Sequence, residues 1–188
     1  MYYCKWHIYF WLVVAIIVGL AACSKTKKPV NHFYFDTTTY IEAEINALNS
    51  SVQSFNNTID LNGESESRSH IAADSSIFKE LHALFKQANI NSAVFQGEYK
   101  IDTFWILDPS SQQNIEVWNY STANKDLKVK WLQVYSNGSL KASLSQENFL
   151  FSYDKEIYYE KGKKFSVLMW QKTLGQDTLT IFNSIEFF

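Results

Sequence analysis

The sequence predicts an α+β domain, in which two helices pack on one face of a twisted, mostly antiparallel sheet of about seven to eight strands. Two stretches between residues 36 and 91 carry apolar residues at helical spacing, and the period changes to two from Val94 onward. Turn signals such as Asn137-Gly138 separate the alternating stretches. An aromatic content of 16%, with 6 Gly and 2 Pro, suits a β-rich core.

The first helix is predicted to begin after Asp36, a good N-cap residue, and to run to about Ser50. Ile41, Ile45 and Leu48 form one apolar stripe along it. A second helix is predicted to start at Asp74 or Ser75 and to end near residues 89–91. Its stripe is the clearest in the chain and contains Ile77, Phe78, Leu81, Leu84, Phe85 and Ala88.

Between the helices, Val52 to Leu61 is predicted to be a strand that ends at Asn62-Gly63, and residues 64–70 are predicted to be a polar loop. Further along the chain, Asn137-Gly138 is typical of a two-residue type I′ hairpin turn. Such a turn would set Trp131 opposite Leu144.

The turn at residues 161–163 allows two registers. A two-residue loop would set Ile157 opposite Ser166, and a three-residue loop would set Tyr159 opposite Phe165 and Ile157 opposite Val167. The second register is the prediction because it keeps the apolar faces together.

Aromatic side chains are dense in the predicted sheet. We expect seven of them on one face, which is either core beneath the helices or a partly open apolar cup for a lipid or acyl chain. The seven are Trp105, Trp131, Phe149, Phe151, Tyr153, Tyr159 and Phe165. Because the first helix offers only three aliphatic stripe residues, part of this face is expected to stay uncovered.

Catalytic and metal-binding motifs are not recognised in the sequence. Histidines at positions 32, 70 and 82 are not spaced as metal ligands, and phosphate-loop, GxGxxG and Gly-x-Ser-x-Gly patterns are absent. Glu42 and Glu44 are expected to point into solvent from a helix flank. A non-enzymatic protein is therefore predicted, with no cofactor, no metal and, at a net charge of −2, no nucleic acid partner.

The first 23 residues carry the most specific signal. Lys5 precedes an apolar run from Ile8 to Ala22, which reaches roughly 23 Å at about 1.5 Å per residue and is short for a membrane span. The run ends in Leu20-Ala21-Ala22-Cys23. This pattern resembles the type II signal peptide (lipobox) of bacterial lipoproteins; the other interpretation is an uncleaved N-terminal membrane anchor.

The resemblance implies cleavage between Ala22 and Cys23 and attachment of acyl chains such as palmitate to Cys23. The expected organisation is therefore a signal peptide at 1–22, a lipidated cysteine and tether at 23–31, and a single domain at 32–188. Eight tether residues span roughly 15 Å. Ser24 differs from the Asp that retains lipoproteins in the inner membrane of enteric bacteria, so we expect the outer membrane, facing the periplasm.

The expected partner is thus the membrane, held through N-terminal acyl chains, with a further lipid or protein partner left open. The first functional hypothesis is a non-enzymatic, membrane-anchored lipoprotein of the cell envelope that acts as a binding or assembly component. The alternative is a lipid or lipoprotein carrier or receptor, because the order of elements is similar to the half-barrel of bacterial lipoprotein carriers. A hydrolase ranks last.

Overall fold

A computed structural model describes residues 33–71, 76–108 and 112–188. Within them the chain forms two α-helices, a short 3₁₀ turn at Ala93–Phe95 and a nine-stranded antiparallel sheet. The helices are α1 (Thr37–Ser51) and α2 (Ser76–Gln87). The strands are β1 (Ser54–Leu61), β2 (Glu64–Ile71), β3 (Lys100–Leu107), β4 (Asn114–Ser121), β5 (Val129–Tyr135), β6 (Leu140–Glu147), β7 (Phe151–Glu160), β8 (Lys164–Thr173) and β9 (Leu179–Phe187).

The strand order in the sheet is β2-β1-β9-β8-β7-β6-β5-β4-β3. Strands β3 to β9 follow one another as a meander, and the β1–β2 hairpin joins the outer side of β9. The β1–β9 pairing brings together distant parts of the chain, as the Thr180 N–H shows by donating to Asn62 Oδ1, 118 residues away. The sheet edges are therefore β2 and β3.

Helix α1 begins where the sequence predicts. The Asp36 carboxylate accepts a 3.1 Å hydrogen bond from the Thr39 N–H, which satisfies one of the free donors of the first turn. Ile41 and Leu48 are buried, and Ile45 packs against the core from a partly exposed position. The predicted stripe is confirmed.

Helix α2 packs on α1 and on the sheet. The buried Thr37 hydroxyl donates a 3.0 Å hydrogen bond to the Phe85 carbonyl oxygen, joining the two helices. The Phe85 ring meets Phe165 of β8 edge to face, with ring centroids 5.5 Å apart. The core therefore lies between the helices and the face of the sheet to which Phe165 belongs. Other core members from the sheet are Phe55, Leu132, Leu140, Ala142, Leu144, Ile157, Tyr159, Ile185 and Phe187.

The strand β2 was not predicted. Residues 64–70 were expected to be a polar loop, but Glu64–Ile71 pairs with β1 along its whole length. Seven of its eight residues are exposed, which is why hydrophobic periodicity gives no signal there. A polar edge strand needs only backbone hydrogen bonds on one side, and its Glu and Arg side chains discourage pairing with another chain. The sheet consequently has nine strands rather than seven to eight.

The predicted type I′ turn at Asn137-Gly138 is wrong. Gly138 has a φ of +87°, but no positive φ occurs at Asn137, and the Gly138 N–H donates to the Tyr135 carbonyl oxygen. These features describe a three-residue loop whose last residue is a left-handed glycine. The register therefore shifts by one residue, so that Leu132 stands opposite Ala142 and Trp131 opposite Ser143.

The β7–β8 hairpin has the predicted register, with Tyr159 opposite Phe165 and Ile157 opposite Val167. All four residues are buried in the core, so the apolar pairing that selected the three-residue loop is confirmed. No helix among the described residues is both long enough and apolar enough to cross a membrane.

Candidate functional site

The two faces of the sheet differ. Residues directly opposite one another on neighbouring strands lie on the same face. Gln133, Lys141, Tyr158 and Ser166 are such partners across β5 to β8. They lie on the side away from the helices, which is called the open face below, and the side that carries the core is called the helix-bearing face.

The sheet curls toward its open face. In a flat sheet, β3 and β7 would lie four strand spacings apart, roughly 19 Å. Residues at the end of β3 and in the β7–β8 hairpin nevertheless line one pocket of about 510 Å³. Val117 of β4 lies on the open face opposite Phe104 and Tyr135 and is fully buried, which the same curvature explains.

This pocket, the open-face pocket, combines two tyrosines and two aliphatic side chains with charged and polar groups. Its lining residues are Ile106, Asp108, Ile115, Tyr135, Asn137, Ser139, Tyr158, Glu160, Lys161 and Lys163. They come from the ends of four strands, β3, β4, β5 and β7, and from the segments that follow β3, β5 and β7. Convergence of aromatic rings with a few polar groups in a concavity is the usual composition of a site for a small ligand or a peptide side chain.

The two tyrosines of the pocket remain neutral well above physiological pH. Burial raises the pKa of Tyr158, and the nearby Glu160, Tyr135 and Asp108 raise it further. Burial also raises the pKa of Tyr135. Both rings therefore present hydroxyl groups that can donate or accept hydrogen bonds, rather than phenolates.

The charged groups of the pocket are arranged around Glu160. Lys163 Nζ lies 2.8 Å from Glu160 Oε1. That contact raises the pKa of Lys163, and Asp108 adds to the effect. Since the Lys163 side chain is well exposed, the pair can part to receive a charged ligand at little cost.

A chain of hydrogen bonds extends from the pocket along the open face. The Tyr135 hydroxyl donates to Gln133 Oε1 at 2.9 Å, and Gln133 Nε2 donates to Asn119 Oδ1 at 3.2 Å. These bonds fix the orientation of the Tyr135 hydroxyl at the pocket wall. A pre-oriented polar group binds a ligand with less loss of conformational entropy.

A second group on the open face surrounds Lys141. Its ammonium lies 3.3 Å from the Glu156 carboxylate and 5.4 Å from the centroid of the Trp131 ring. Both charged side chains are partly exposed, so this group contributes little to stability and leaves an indole and an ion pair accessible to a partner.

The seven aromatic residues predicted to share a face do not form one surface. Tyr159 and Phe165 are fully buried in the core. Trp105, Phe151 and Tyr153 also lie on the helix-bearing face. Trp105 is 64% exposed at the far strand β3, whereas Phe151 and Tyr153 are partly exposed beyond the buried core.

The other two lie elsewhere. Trp131 lies on the open face, because the three-residue loop shifted its strand by one position. Phe149 lies in the loop between β6 and β7 and is 86% exposed. Where the helices do cover the sheet, the core contains fully buried residues such as Leu140, Leu144 and Ile157.

Two histidines and one glutamate considered in the sequence analysis lie among neighbouring side chains of the fold. The His70 ring stacks on Phe55 at 5.0 Å, and His82 faces a pocket of about 320 Å³ between the two helices. Glu44, expected in solvent, instead accepts a 2.8 Å hydrogen bond from the Tyr159 hydroxyl and lies 3.2 Å from Lys161 Nζ. In residues 33–71, 76–108 and 112–188, no group of three His, Cys, Asp or Glu side chains is placed to hold a metal ion.

Ala22 and Cys23 lie outside the described residues, as does His32. The open-face pocket was not predicted from the sequence. Its residues belong to strand ends and hairpin loops, which look like ordinary turns in a periodicity analysis. Two tyrosines, Tyr135 and Tyr158, next to polar hairpin loops were the available signal, but only the curvature of the sheet brings them together. No protein-family model and no curated protein matches this chain.

Proposed function

We propose that this protein is a non-enzymatic, lipid-anchored component of the bacterial cell envelope that binds a partner or ligand in the open-face pocket. The observation that carries the proposal is the pocket itself: β3, β4 and two hairpins bring Tyr135, Tyr158, Glu160 and Lys163 around one concavity of about 510 Å³. Hydroxyl, carboxylate and ammonium groups together suit a polar ligand or a polar segment of another protein.

The anchor part of the proposal rests on Leu20-Ala21-Ala22-Cys23 at the end of the apolar run. Acylation at Cys23 and a short tether would hold the domain close to the membrane, and Ser24 favours the outer membrane, facing the periplasm. We further infer that the two helices cover a single face of the sheet, which leaves the curled open face free for binding.

The carrier hypothesis requires a cavity between the helices and the sheet. The fully buried residues in that layer, among them Leu132, Ala142 and Phe165, favour a packed core over a cup at this position. A binding component that uses the open face is therefore the better supported proposal of the two.

The anchor is tested by intact-mass measurement of the native chain from the membrane fraction. We expect a chain that lacks residues 1–22 and carries acyl mass on Cys23. Cys23→Ser should give an uncleaved or unacylated form. An unmodified full-length wild-type chain in the membrane fraction would contradict this part of the proposal.

The pocket is tested by placing a photo-crosslinking phenylalanine analogue at Tyr135 in cells. We expect one discrete crosslinked product at this position. The same analogue at Ile71, an exposed residue of edge strand β2, is the control and should give none. Equal patterns at both positions, or no product at Tyr135, would contradict a binding role for the open-face pocket.

A further inference from the structure

The apolar part of the helix-bearing face extends beyond the area that the two helices cover. The buried core ends at Leu144, Ile157 and Val167. On the same face, beyond these residues, Tyr153, Met169 and Ile181 are partly exposed, and Ile59 and Leu61 are exposed. Apolar side chains thus continue toward the end of the sheet at which β7 begins and β8 ends.

Two loops extend this apolar surface beyond the sheet. Phe149 and Leu150 of the β6–β7 loop are 86% and 61% exposed, and Leu174 of the β8–β9 loop is 68% exposed. These three residues are called the loop-tip patch. The Leu174 N–H donates a 2.9 Å hydrogen bond to the Leu150 carbonyl oxygen, so the two loops lie side by side.

The β6–β7 loop is held in shape by its own hydrogen bonds. The Asn148 side chain accepts from the N–H groups of Leu150 and Phe151 at 2.8 and 2.9 Å, and the Asn148 N–H donates to the Phe151 carbonyl oxygen. The loop therefore presents Phe149 and Leu150 outward without a conformational change. These large apolar side chains are thus left largely uncovered by the described residues, as is typical of a surface that binds a partner or a membrane.

Lysines lie next to this surface. Lys128 Nζ and Lys155 Nζ lie 5.7 and 5.5 Å from the centroid of the Tyr153 ring, and Lys172 lines the small pocket between the two loops. Burial and the neighbouring Lys128 lower the pKa of Lys155, so an anionic group nearby would be stabilising. Apolar tips, a tyrosine and lysines are the combination that favours the interfacial layer of an anionic membrane.

The Tyr34 side chain lies at this same end of the strands. The Tyr34 hydroxyl accepts hydrogen bonds from the N–H groups of Gly97 and Tyr99, just before β3 begins. Because neighbouring strands are antiparallel, the start of β3, the end of β6 and the start of β7 lie at the same end of the sheet. The Tyr34 side chain and the loop-tip patch therefore lie at the same end of the strands.

We propose that the loop-tip patch contacts the lipid bilayer, with Phe149, Leu150 and Leu174 in the interfacial layer and Lys128, Lys155 and Lys172 facing anionic headgroups. This inference rests on the proposed membrane anchor, and it adds an orientation. The end of the sheet that carries the two loops faces the lipid. The open-face pocket lies at the opposite ends of the strands and therefore faces away from the membrane.

The experiment uses the segment 24–188, which lacks Cys23 and hence any acyl chain. The buried core lies entirely between Ile41 and Phe187, so this segment retains all of it. Co-sedimentation is measured with vesicles of phosphatidylcholine, with and without phosphatidylglycerol. We expect binding to the anionic vesicles that decreases as salt is added.

The triple variant F149S/L150S/L174S should lose at least about tenfold in vesicle partitioning, because three apolar side chains no longer enter the interface. Leu107→Ser is the matched control. Leu107 is 58% exposed at the last position of β3, at the opposite end of the sheet, and its variant should bind as the wild type does. Lys128→Gln together with Lys155→Gln should weaken binding to anionic vesicles by about tenfold or more. Unchanged thermal midpoints would show that every variant folds.

Absence of wild-type binding to either vesicle would overturn the proposal, as would equal binding by the triple variant and the Leu107→Ser variant. Self-association of the wild type that the triple variant loses, without vesicle binding, would instead assign the patch to a second copy of the chain. Failure of the anchor is recognised separately, since it is measured by mass on the native chain.

Discussion

The Tyr40 hydroxyl donates a 2.6 Å hydrogen bond to the carbonyl oxygen of Gly138, which joins helix α1 to the β5–β6 hairpin. A β-carbon at Gly138 would lie 2.8 Å from this hydroxyl oxygen and 2.6 Å from Lys161 Cδ. The hairpin thus needs glycine at this position for two reasons, its left-handed backbone and the close approach of Tyr40. The same loop borders the open-face pocket through Asn137 and Ser139.

Gly138→Ala should therefore lower the free energy of unfolding by about 1–3 kcal/mol, because the free-energy costs of the strained φ and of the close contact add up. Gly63→Ala is the matched control. Gly63 has a similar φ of +93°, but its added β-carbon would meet no atom within 4 Å, so only the conformational part should remain. Urea denaturation of both variants measures the difference, and equal losses would mean that the Tyr40 contact adds nothing.

Leu81→Ala should cost about 2–5 kcal/mol in the free energy of unfolding. Leu81 is buried in the stripe that α2 presents to the core, so truncation leaves a cavity. Leu84, one turn along on the flank of the stripe, is only partly buried, and Leu84→Ala should cost clearly less. A larger loss for Leu84→Ala than for Leu81→Ala would mean that α2 presents a different face to the core.

Stability should decrease between pH 10 and pH 12. Burial raises the pKa of Tyr99 to about 12, with Tyr34 and Glu98 adding to it, and burial raises that of Tyr40 to about 12. Unfolded tyrosines release their protons near 10.0, so this contribution is complete below pH 10 and is lost as the pH rises toward 12.

Chemical denaturation across that pH range is the measurement, and Tyr99→Phe is the test variant. The variant loses the hydrogen bond from the Tyr99 hydroxyl to the Val129 carbonyl oxygen, so it should be less stable at neutral pH. It should also show a shallower alkaline decrease. An identical slope in variant and wild type would contradict the role given to Tyr99.

Asn183→Leu should raise the free energy of unfolding by about 1–3 kcal/mol. The Asn183 side-chain oxygen is buried and has no hydrogen-bond partner among the described residues. It lies on the helix-bearing face between Val167 and Ile59. Asn119→Leu is the control, since Asn119 accepts a hydrogen bond from Gln133 and its loss should destabilise. A lower denaturation midpoint for Asn183→Leu would show that its amide makes a favourable interaction.

Helix positions and one strand register could be predicted because the responsible signals are local. Asp36 caps α1 through a residue three positions away, and the Tyr159–Phe165 register follows from a short loop with apolar residues on both sides. Each needs only the chemistry of neighbouring residues.

Three features could not be predicted from local pattern. In β2, Ser, Glu and Arg alternate without an apolar face, since an edge strand outside the core needs none. At Asn137-Gly138 the same two residues suit two turn types, and contact of Gly138 with Tyr40, 98 residues away, favours the one observed. Val117 is buried on the open face, where the sheet curls between β3 and β7.

The pairing of β1 with β9 has a consequence for how the chain acquires its structure. Strand β1 lies near the start of the domain, and its inner partner, β9, is the last strand of the sheet to be made. Until β9 emerges from the ribosome, Phe55 and the β1–β2 hairpin have no sheet to join. Closing so long a loop is slow, and all-β pairings of this kind fold in milliseconds to seconds. The incomplete chain therefore lacks the β9 partner of β1 throughout its synthesis, and Phe55 stays uncovered on that side until β9 is made.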